Sequence, residues 1–337
     1  MQQYPYNNQY VYTPQAEEAN RRFRARLGQK REIKKIGSAV GVCILGYIVL
    51  ENIITLPVLF GQFNALYQTN GVFQAALNII LSVFGLLLPF AIGGIYLRNR
   101  TGVDPFVLAK PKGGVTVVYI ICFGMFVALA ANNVTTLMMM VAEKLGYKMT
   151  APDFLMPSSV TGRIIYAVSI SVVPALTEEV AVRGAVMQPL RKYGNVFAIV
   201  VSSFVFAVLH GNFVQAPFAL LVGFGLGYIT CITESLWPAI AVHAANNLYS
   251  VAVQIFTEDF SEETSLKLYY ILTVALLTVS IVGSVFFFLA QGRNAKLAKS
   301  RTLLTTREKT GAFVLNFPMI ISIAILLFFS SRFVTKV

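Results

Sequence analysis

The stretch from Thr177 to Gly184, Thr-Glu-Glu-Val-Ala-Val-Arg-Gly, places two adjacent carboxylates and a guanidinium inside an apolar run. That run extends from roughly Ile164 to Leu190 and is long enough to cross a bilayer as a helix. A charged Asp, Lys or Arg near the bilayer centre costs ~2.5–3.5 kcal/mol on insertion scales. Three ionisable groups at this place therefore predict a functional site.

Helical spacing divides these three groups. Glu179 and Arg183 are one turn apart, so they lie on one face and can pair. Glu178 points about 100° away from Glu179 and is left to face something else. Pro174, one turn before Glu178, removes a backbone hydrogen bond and predicts a kink there.

The composition is that of a polytopic membrane protein. Of 337 residues, 56% are hydrophobic and 12% are charged, and the mean hydropathy is +0.68. A net charge of +12 would suggest a nucleic-acid partner for a soluble protein. Here the basic residues lie beside the apolar runs, so we expect no nucleic-acid binding. The cysteines Cys43, Cys122 and Cys231 lie in apolar runs without paired spacing, so no disulfide framework is expected.

We predict an all-α fold, a polytopic transmembrane helix bundle with an eight-helix core and one additional span. Residues 1–36 form a polar, increasingly basic cytoplasmic arm, and residues 37–337 form the bundle. The arm either rests on anionic headgroups or serves only as a topology signal. The apolar runs of spanning length lie near residues 37–60, 72–97, 114–142, 164–190, 195–212, 214–233, 236–255, 268–290 and 311–334.

The charges between the runs predict the orientation. If the N-terminus is cytoplasmic and the spans alternate, most of the 27 Lys and Arg residues fall on the cytoplasmic side. The loop 256–267 is acidic and falls outside. This asymmetry is the one that the positive-inside rule describes. We therefore expect a multi-pass protein of the cell membrane with a cytoplasmic N-terminus.

Both histidines of the chain lie in or at the end of a predicted span. His210 ends one apolar run, and His243 lies one turn before Asn247 on the same helix face. Counting ~1.5 Å per residue, Glu178, His210 and His243 lie at overlapping interior depths. Taken alone, Glu179 and Arg183 are as well explained by a structural ion pair, His210 by a core hydrogen bond and Asn247 by an interhelical contact. Their occurrence together predicts one polar cavity that opens toward the cytoplasm.

Such a set can hydrolyse an amide bond. A carboxylate near a histidine can hold and deprotonate a water, and a second histidine with an amide donor can stabilise an oxyanion. A carboxylate and two imidazoles are also a possible zinc site with an open position for water. No Ser or Cys lies in a recognisable nucleophile motif, so a covalent mechanism is not favoured.

The same residues resemble a known family. Glu-Glu-x-x-x-Arg at 178–183, Phe-x-x-x-His at 206–210 and His-x-x-x-Asn at 243–247 resemble the motifs of the CPBP intramembrane proteases. That group includes the type II CAAX prenyl endopeptidases and bacterial bacteriocin-processing or immunity proteins. The resemblance covers roughly residues 160–250 and identifies them as the catalytic core.

The resemblance implies an intramembrane peptidase and a role for each motif residue. Glu178 would activate the hydrolytic water together with His210. Glu179 and Arg183 would support the site.

The third motif would stabilise the reaction's negative charge. His243 and Asn247 would form the oxyanion hole. Family members have been described both as metalloproteases and as glutamate proteases. The glutamate mechanism is favoured here because His243 and Asn247 together supply the donors that an oxyanion hole needs. If zinc takes part, its ligands would be Glu178, His210 and His243.

The expected substrate is a membrane-associated peptide or protein, with the lipid bilayer as the other partner. Nothing in the sequence indicates whether that substrate is prenylated. Two alternatives stay open. One is a proton-coupled transporter in which the same groups form a relay, and the other is a non-catalytic immunity or scaffold protein of the same fold.

Overall fold

The computed structural model describes residues 14–112, 116–291, 295–298 and 302–336, which form helices and two short strands. The elements are α1 (Pro14–Phe60), α2 (Asn64–Thr69), α3 (Gly71–Thr101), α4 (Thr116–Lys144), β1 (Tyr147–Met149), α5 (Val160–Tyr193), α6 (Asn195–Leu209), α7 (Gln215–Thr233), α8 (Trp237–Asp259), α9 (Glu262–Gln291), α10 (Thr306–Val314), α11 (Phe317–Ser331) and β2 (Val334–Lys336). Two of the helices contain π-helical segments. One segment, Leu81–Leu87, lies in α3, and two, Val168–Val172 and Val180–Met187, lie in α5.

The all-α membrane bundle predicted from the sequence is confirmed. Within the described residues, six helices are long and apolar enough to cross a membrane, and α10 with α11 makes a seventh if they are one span. The helix α6 is apolar but has only 15 residues, and α8 has 23 residues but is less apolar. Among the described residues, each of the nine predicted apolar runs nevertheless overlaps a helix.

The last predicted span, 311–334, differs from the structure because it is broken. α10 and α11 meet at an angle of 77°. Asn316 caps the N-terminus of α11 by accepting a hydrogen bond from the backbone of Met319, and Pro318 lies in its first turn. An Asn followed by a proline at the second position is a helix-start signal, which the hydropathy of the run conceals.

The first helix also extends beyond its predicted span. α1 has 47 residues, so it joins the basic arm from Pro14 onward to the first apolar run without a break. Residues 1–13 of the predicted arm lie outside the described residues. Ile33 and Ile36 are buried on the inner face of α1, while the basic side chains around them are exposed. The helical arm therefore has an apolar face, which fixes it against the bundle.

Contacts between distant segments support the predicted alternation of spans. On one side of the bundle, Lys112 pairs with Glu234 and Lys192 pairs with Glu32. The hydrogen bond from Lys112 lowers the pKa of Glu234, which lies in the loop after α7. Arg26 pairs with Glu308 at 2.7 Å on that same side. These pairs join only segments that the alternation places together.

The opposite side is held by its own contacts. Arg163, at the start of α5, pairs with Asp259 at the end of α8. β1 and β2 pair antiparallel, with Lys148 opposite Thr335. The described end of the chain therefore lies on the same side as the segment after α4. Which of the two sides is cytoplasmic stays a prediction.

The glycine-rich helix α7 packs in the middle of the core. A Cβ on Gly223 would approach Ser203 of α6 to 2.9 Å, and one on Gly227 would approach Ile199 of α6 to 3.2 Å. A Cβ on Gly225 would instead approach Val127 of α4 to 2.9 Å. The glycines thus allow α7 to contact two neighbours closely, as small residues do between membrane helices.

Candidate active site

The site is built around an irregular part of α5. Pro174 lies between the two π-helical segments of this helix and has no backbone N–H to donate. The carbonyl one turn earlier, that of Ile170, accepts a hydrogen bond from the side-chain amide of Asn247 at 3.2 Å instead. The irregularity predicted at Pro174 thus has a partner on α8. π-helical turns inside α-helices occur frequently at functional sites.

A buried cluster of charged groups lies on the next turns of α5. The Arg183 guanidinium donates to Oε1 of Glu179 at 3.0 Å, and neither side chain is exposed. The same carboxylate oxygen lies 2.9 Å from Nδ1 of His243. Since a carboxylate is an acceptor, Nδ1 of His243 carries the proton in this contact. Glu179 therefore connects α5 to α8.

Arg183 is held from three directions. Its second terminal nitrogen donates to the carbonyl of Gly223 on α7 at 3.3 Å. Its guanidinium carbon lies 4.4 Å from the ring centroid of Phe206 on α6. The ion pair with Glu179 thus gains a backbone acceptor and an aromatic face, which offset part of the cost of burying a charge. The close approach at Gly223 described above is what makes this carbonyl reachable.

Glu178 differs from its neighbour in exposure and in contacts. Its side chain is 22% exposed, whereas that of Glu179 is fully buried. Oε2 of Glu178 lies 3.7 Å from Nε2 of His243 and has no hydrogen-bond partner among the described residues. The division predicted from helical spacing, with Glu179 held by Arg183 and Glu178 left free, agrees with this geometry.

His210 reaches the cluster through an aromatic ring. The Phe206 ring packs edge-on against His210, with centroids 4.7 Å apart, and against His243, with centroids 5.8 Å apart. Nδ1 of His210 lies 2.8 Å from the Phe206 carbonyl. A carbonyl only accepts, so Nδ1 is the donor and Nε2 of the neutral ring keeps its lone pair. Within the described residues, no hydrogen bond joins His210 to Glu178 or Glu179.

Asn247 lies one turn after His243 but faces the Ile170 carbonyl, not the carboxylates. Its side-chain oxygen accepts a long hydrogen bond, 3.5 Å, from Asn246, whose own oxygen accepts from Asn132 of α4 at 3.2 Å. A side-chain amide has two N–H donors, so one donor of Asn247 remains beyond the bond to Ile170. The bond between Asn132 and Asn246 joins α4 to α8.

The arrangement does not fit the zinc site considered above. Zinc needs three protein ligands at about 2.0–2.2 Å for nitrogen and oxygen donors. Among the described residues, no three His, Cys, Asp or Glu side chains are placed to hold a metal ion. The Nδ1 bonds of His243 and His210 leave both Nε2 atoms free, but His210 forms no hydrogen bond with either carboxylate, so the three side chains do not converge on one point. No step below is therefore assigned to a metal.

Sequence reasoning missed two groups on α1, Tyr47 and Glu51. Neither is among the site residues predicted from the sequence. Tyr47 lies one turn before Glu51 on the same helix, and the charges of Glu51 and Glu178 both act on it. The signal was present as a tyrosine one turn before a glutamate in an apolar run, but only the packing of α1 against α5 connects it to the site.

Comparison with known proteins agrees with the motifs. Residues 160–249 match the family model described as type II CAAX prenyl endopeptidase Rce1-like. A search of curated proteins and a search of solved structures returned no match. The matched range holds α5 to α8 up to Tyr249 and contains all of the residues of the buried cluster. Residues 160–249 are therefore similar to the Rce1-like domain, and this similarity supports the resemblance of the motifs to those of the CPBP intramembrane proteases.

Proposed function

We propose that the protein is an intramembrane endopeptidase that hydrolyses a peptide bond of a membrane-associated protein or peptide. The observation that carries this proposal is the position of Glu178. Of the two adjacent carboxylates, Glu179 is buried and bonded through Oε1 to Arg183 and His243, whereas Glu178 is 22% exposed and its Oε2 accepts no hydrogen bond beside His243; Oε2 of Glu179 also has no partner, but it is buried. A free, partly desolvated carboxylate in a bundle of apolar helices has no evident structural use.

Glu178 and His210 activate the water in this proposal. Nε2 of His210 has a lone pair because Nδ1 donates to the Phe206 carbonyl. The water loses a proton to the lone pair on Nε2 of His210 while the water oxygen bonds to the substrate carbonyl carbon. This addition gives a tetrahedral oxyanion. When the C–N bond breaks, the same proton passes to the leaving amine.

His243 and Asn247 stabilise the oxyanion. Two carboxylates face one guanidinium in the cluster, so a doubly protonated His243 would make the set neutral. Such an imidazolium would donate from Nδ1 to Glu179 and from Nε2 toward the side on which Glu178 lies. The second amide hydrogen of Asn247 would supply the other donor. Preorganised donors of this kind are worth about 10²–10³ in rate each.

Glu179 and Arg183 are positioning residues in this scheme. Arg183 fixes Glu179, and Glu179 fixes the ring of His243 through Nδ1. Neither touches the proposed water. The arrangement follows the general logic in which a catalytic imidazole is oriented by a buried carboxylate.

The substrate is expected to be a membrane-anchored peptide or leader peptide. The site lies among helices of spanning length, so a bond that reaches it must belong to a chain held at or in the bilayer. We further propose that the protein resides in the cell membrane with its N-terminus and the cavity facing the cytoplasm, as the charge asymmetry predicts.

The test compares membrane peptides from cells that make the wild-type protein, Glu178→Ala or His210→Ala, using quantitative proteomics. We expect at least one peptide terminus to depend on both residues and to be unaffected in Glu143→Ala, which changes an exposed glutamate at the end of α4. Thermal unfolding of each purified variant checks that the fold is retained. Identical peptide profiles in all four strains would contradict the proposal and favour a scaffold, whereas proton-dependent solute uptake without cleavage would favour a transporter.

A further inference from the structure

A groove on the outside of the bundle runs between α1 and α3, and none of the candidate site residues lines it. It encloses about 810 Å³ and is lined on the α3 side by Pro89, Ile92, Gly93 and Tyr96. This volume is in the range of sites that hold small organic molecules. The groove is therefore large enough for part of a lipid.

Close helix packing forms the floor of the groove. A Cβ on Gly93 would lie 2.2 Å from the Cys43 sulfur, and one on Gly46 would lie 3.2 Å from Pro89. The two helices therefore run antiparallel here and touch where their side chains are small. Val42 and Ile92, which are 57% and 60% exposed, line the walls on either side.

One end of the groove is strongly basic. Arg31, Lys34 and Lys35 line it and are exposed. Within the described part of the chain, none of the three forms an ion pair. The nearest carboxylate on α1, Glu32, instead has its oxygens on Lys192 and Tyr193.

A further cation lies at the same level of the bundle. Lys35 is eight residues before Cys43, and Arg100 is seven residues after Gly93, which touches Cys43. At 1.5 Å per residue both lie about 10–12 Å from that contact in the same direction. Arg100 stacks over the ring of Tyr96, itself a lining residue, at 5.5 Å. The positive charge therefore collects at one end of an otherwise apolar groove.

The length of the groove matches one leaflet of a bilayer. From Lys34 to Gly46, α1 rises about 18 Å. Half of a hydrocarbon core of ~30 Å is ~15 Å. A ligand with an anionic head at the basic end and an apolar chain reaching Gly46 has the dimensions and polarity of a phospholipid. A free phosphate would leave the apolar length uncovered.

We propose that this groove binds one anionic phospholipid, with its phosphate against Arg31, Lys34 and Lys35 and an acyl chain along Val42, Ile92 and Gly93. The site does not depend on the peptidase activity. In this proposal the basic segment beside the first span binds one lipid at a defined position. Diffuse attraction to a negatively charged membrane surface would have no such position.

The test is native mass spectrometry of the intact chain in mild detergent, titrated with phosphatidylglycerol or with phosphatidylcholine of the same acyl chains. We expect one phosphatidylglycerol to stay bound at least about tenfold more tightly than phosphatidylcholine. The variant Arg31→Gln/Lys34→Gln/Lys35→Gln should lose that preference. The matched control Arg21→Gln/Arg22→Gln/Arg24→Gln, which removes three charges more than one turn earlier on the same helix, should keep it.

A second variant tests the apolar half of the site without altering charge. Val42→Trp fills the groove and should remove the tightly held phosphatidylglycerol while all of the basic side chains remain. Equal loss of lipid in both triple variants would overturn the proposal, because it would show diffuse attraction to the arm. Unchanged lipid retention in Val42→Trp would also overturn it, since the acyl chain would then lie elsewhere.

Discussion

Arg183 illustrates how much one side chain contributes to this site. It is completely buried, and its charge is matched by Glu179, the Gly223 carbonyl and the Phe206 ring. A buried ion pair adds little compared with apolar packing, but removal of one partner leaves the other charge alone in a dry interior.

We therefore expect Arg183→Met to destabilise the protein by about 3–5 kcal/mol through the unpaired Glu179. The measurement is thermal or denaturant unfolding in detergent. Arg163→Met is the matched control, because it removes a half-exposed ion pair with Asp259 that is worth about 0–1 kcal/mol. Equal losses in the two variants would contradict the assigned burial effect.

Metal dependence is decided by the same few side chains. We expect peptide cleavage to survive exhaustive chelation, because no three His, Cys, Asp or Glu side chains in the described part of the chain are placed to hold a metal ion. Cleavage of the peptide identified by proteomics is measured before and after dialysis against chelator. Activity that disappears on dialysis and returns with zinc would refute the glutamate mechanism.

Individual residues also show what sequence reasoning can reach. The Glu179–Arg183 pair was predictable because both lie on one helix, one turn apart. The bond from His243 to Glu179 was not, since it depends on how α8 packs against α5, and neither helix carries that information alone. Tyr47 and Glu51 also lie on one helix, one turn apart, but their link to the site depends on how α1 packs near Glu178.

At the scale of elements, a side-chain hydrogen bond from α8 joins it to α5 and takes the place of a backbone hydrogen bond that α5 lacks. Pro174 removes the helical donor to the Ile170 carbonyl, and Asn247 supplies a side-chain donor in its place. Asn247 thus fastens α8 to the irregular turn of α5, in addition to any part in the reaction.

This exchange is testable by a double-mutant cycle. Asn247→Ala should cost about 1–3 kcal/mol of unfolding free energy because a carbonyl loses its partner. In a Pro174→Ala background, the restored backbone N–H can bond to Ile170, so the same change should cost less. Unfolding of the four proteins gives the coupling energy. Additive effects would show that the two residues are independent.

The irregular elements were the hardest to predict. Apolar length identified each helix, because about 20 apolar residues are needed to cross the bilayer. It could not distinguish α-helical from π-helical turns in α5. The hydrogen bonds of a π-helical turn span one residue more than those of an α-helical turn, but the hydropathy of the sequence is the same in both cases. It also concealed the break before Asn316, which a local capping signal marks.

At the scale of the whole molecule, the contacts and the charge distribution both indicate which segments lie on the same side of the membrane. Ion pairs and the β1–β2 pairing group the segments into two sets, and the positive-inside rule assigns the sets to the two sides of the membrane. The grouping follows from the structure, and the assignment is a prediction from the sequence.

Cysteine labelling of intact cells checks that assignment. In a background with the native cysteines replaced by serine, we expect Glu258→Cys and Thr335→Cys to react with an impermeant maleimide. Glu234→Cys should react only after the membrane is opened. All three positions are exposed or lie in connecting segments. Labelling of residue 234 but not residue 258 in intact cells would reverse the orientation.

The unbroken course of α1 makes the candidate site sensitive to bilayer thickness. One helix carries the basic arm at the headgroups and, 16 residues after Arg31 and so about 24 Å farther along, Tyr47, on which the charge of Glu178 acts. A thinner or thicker membrane shifts or tilts such a helix relative to its neighbours. Lipid chain length would thus change the distance between Tyr47 and the candidate site.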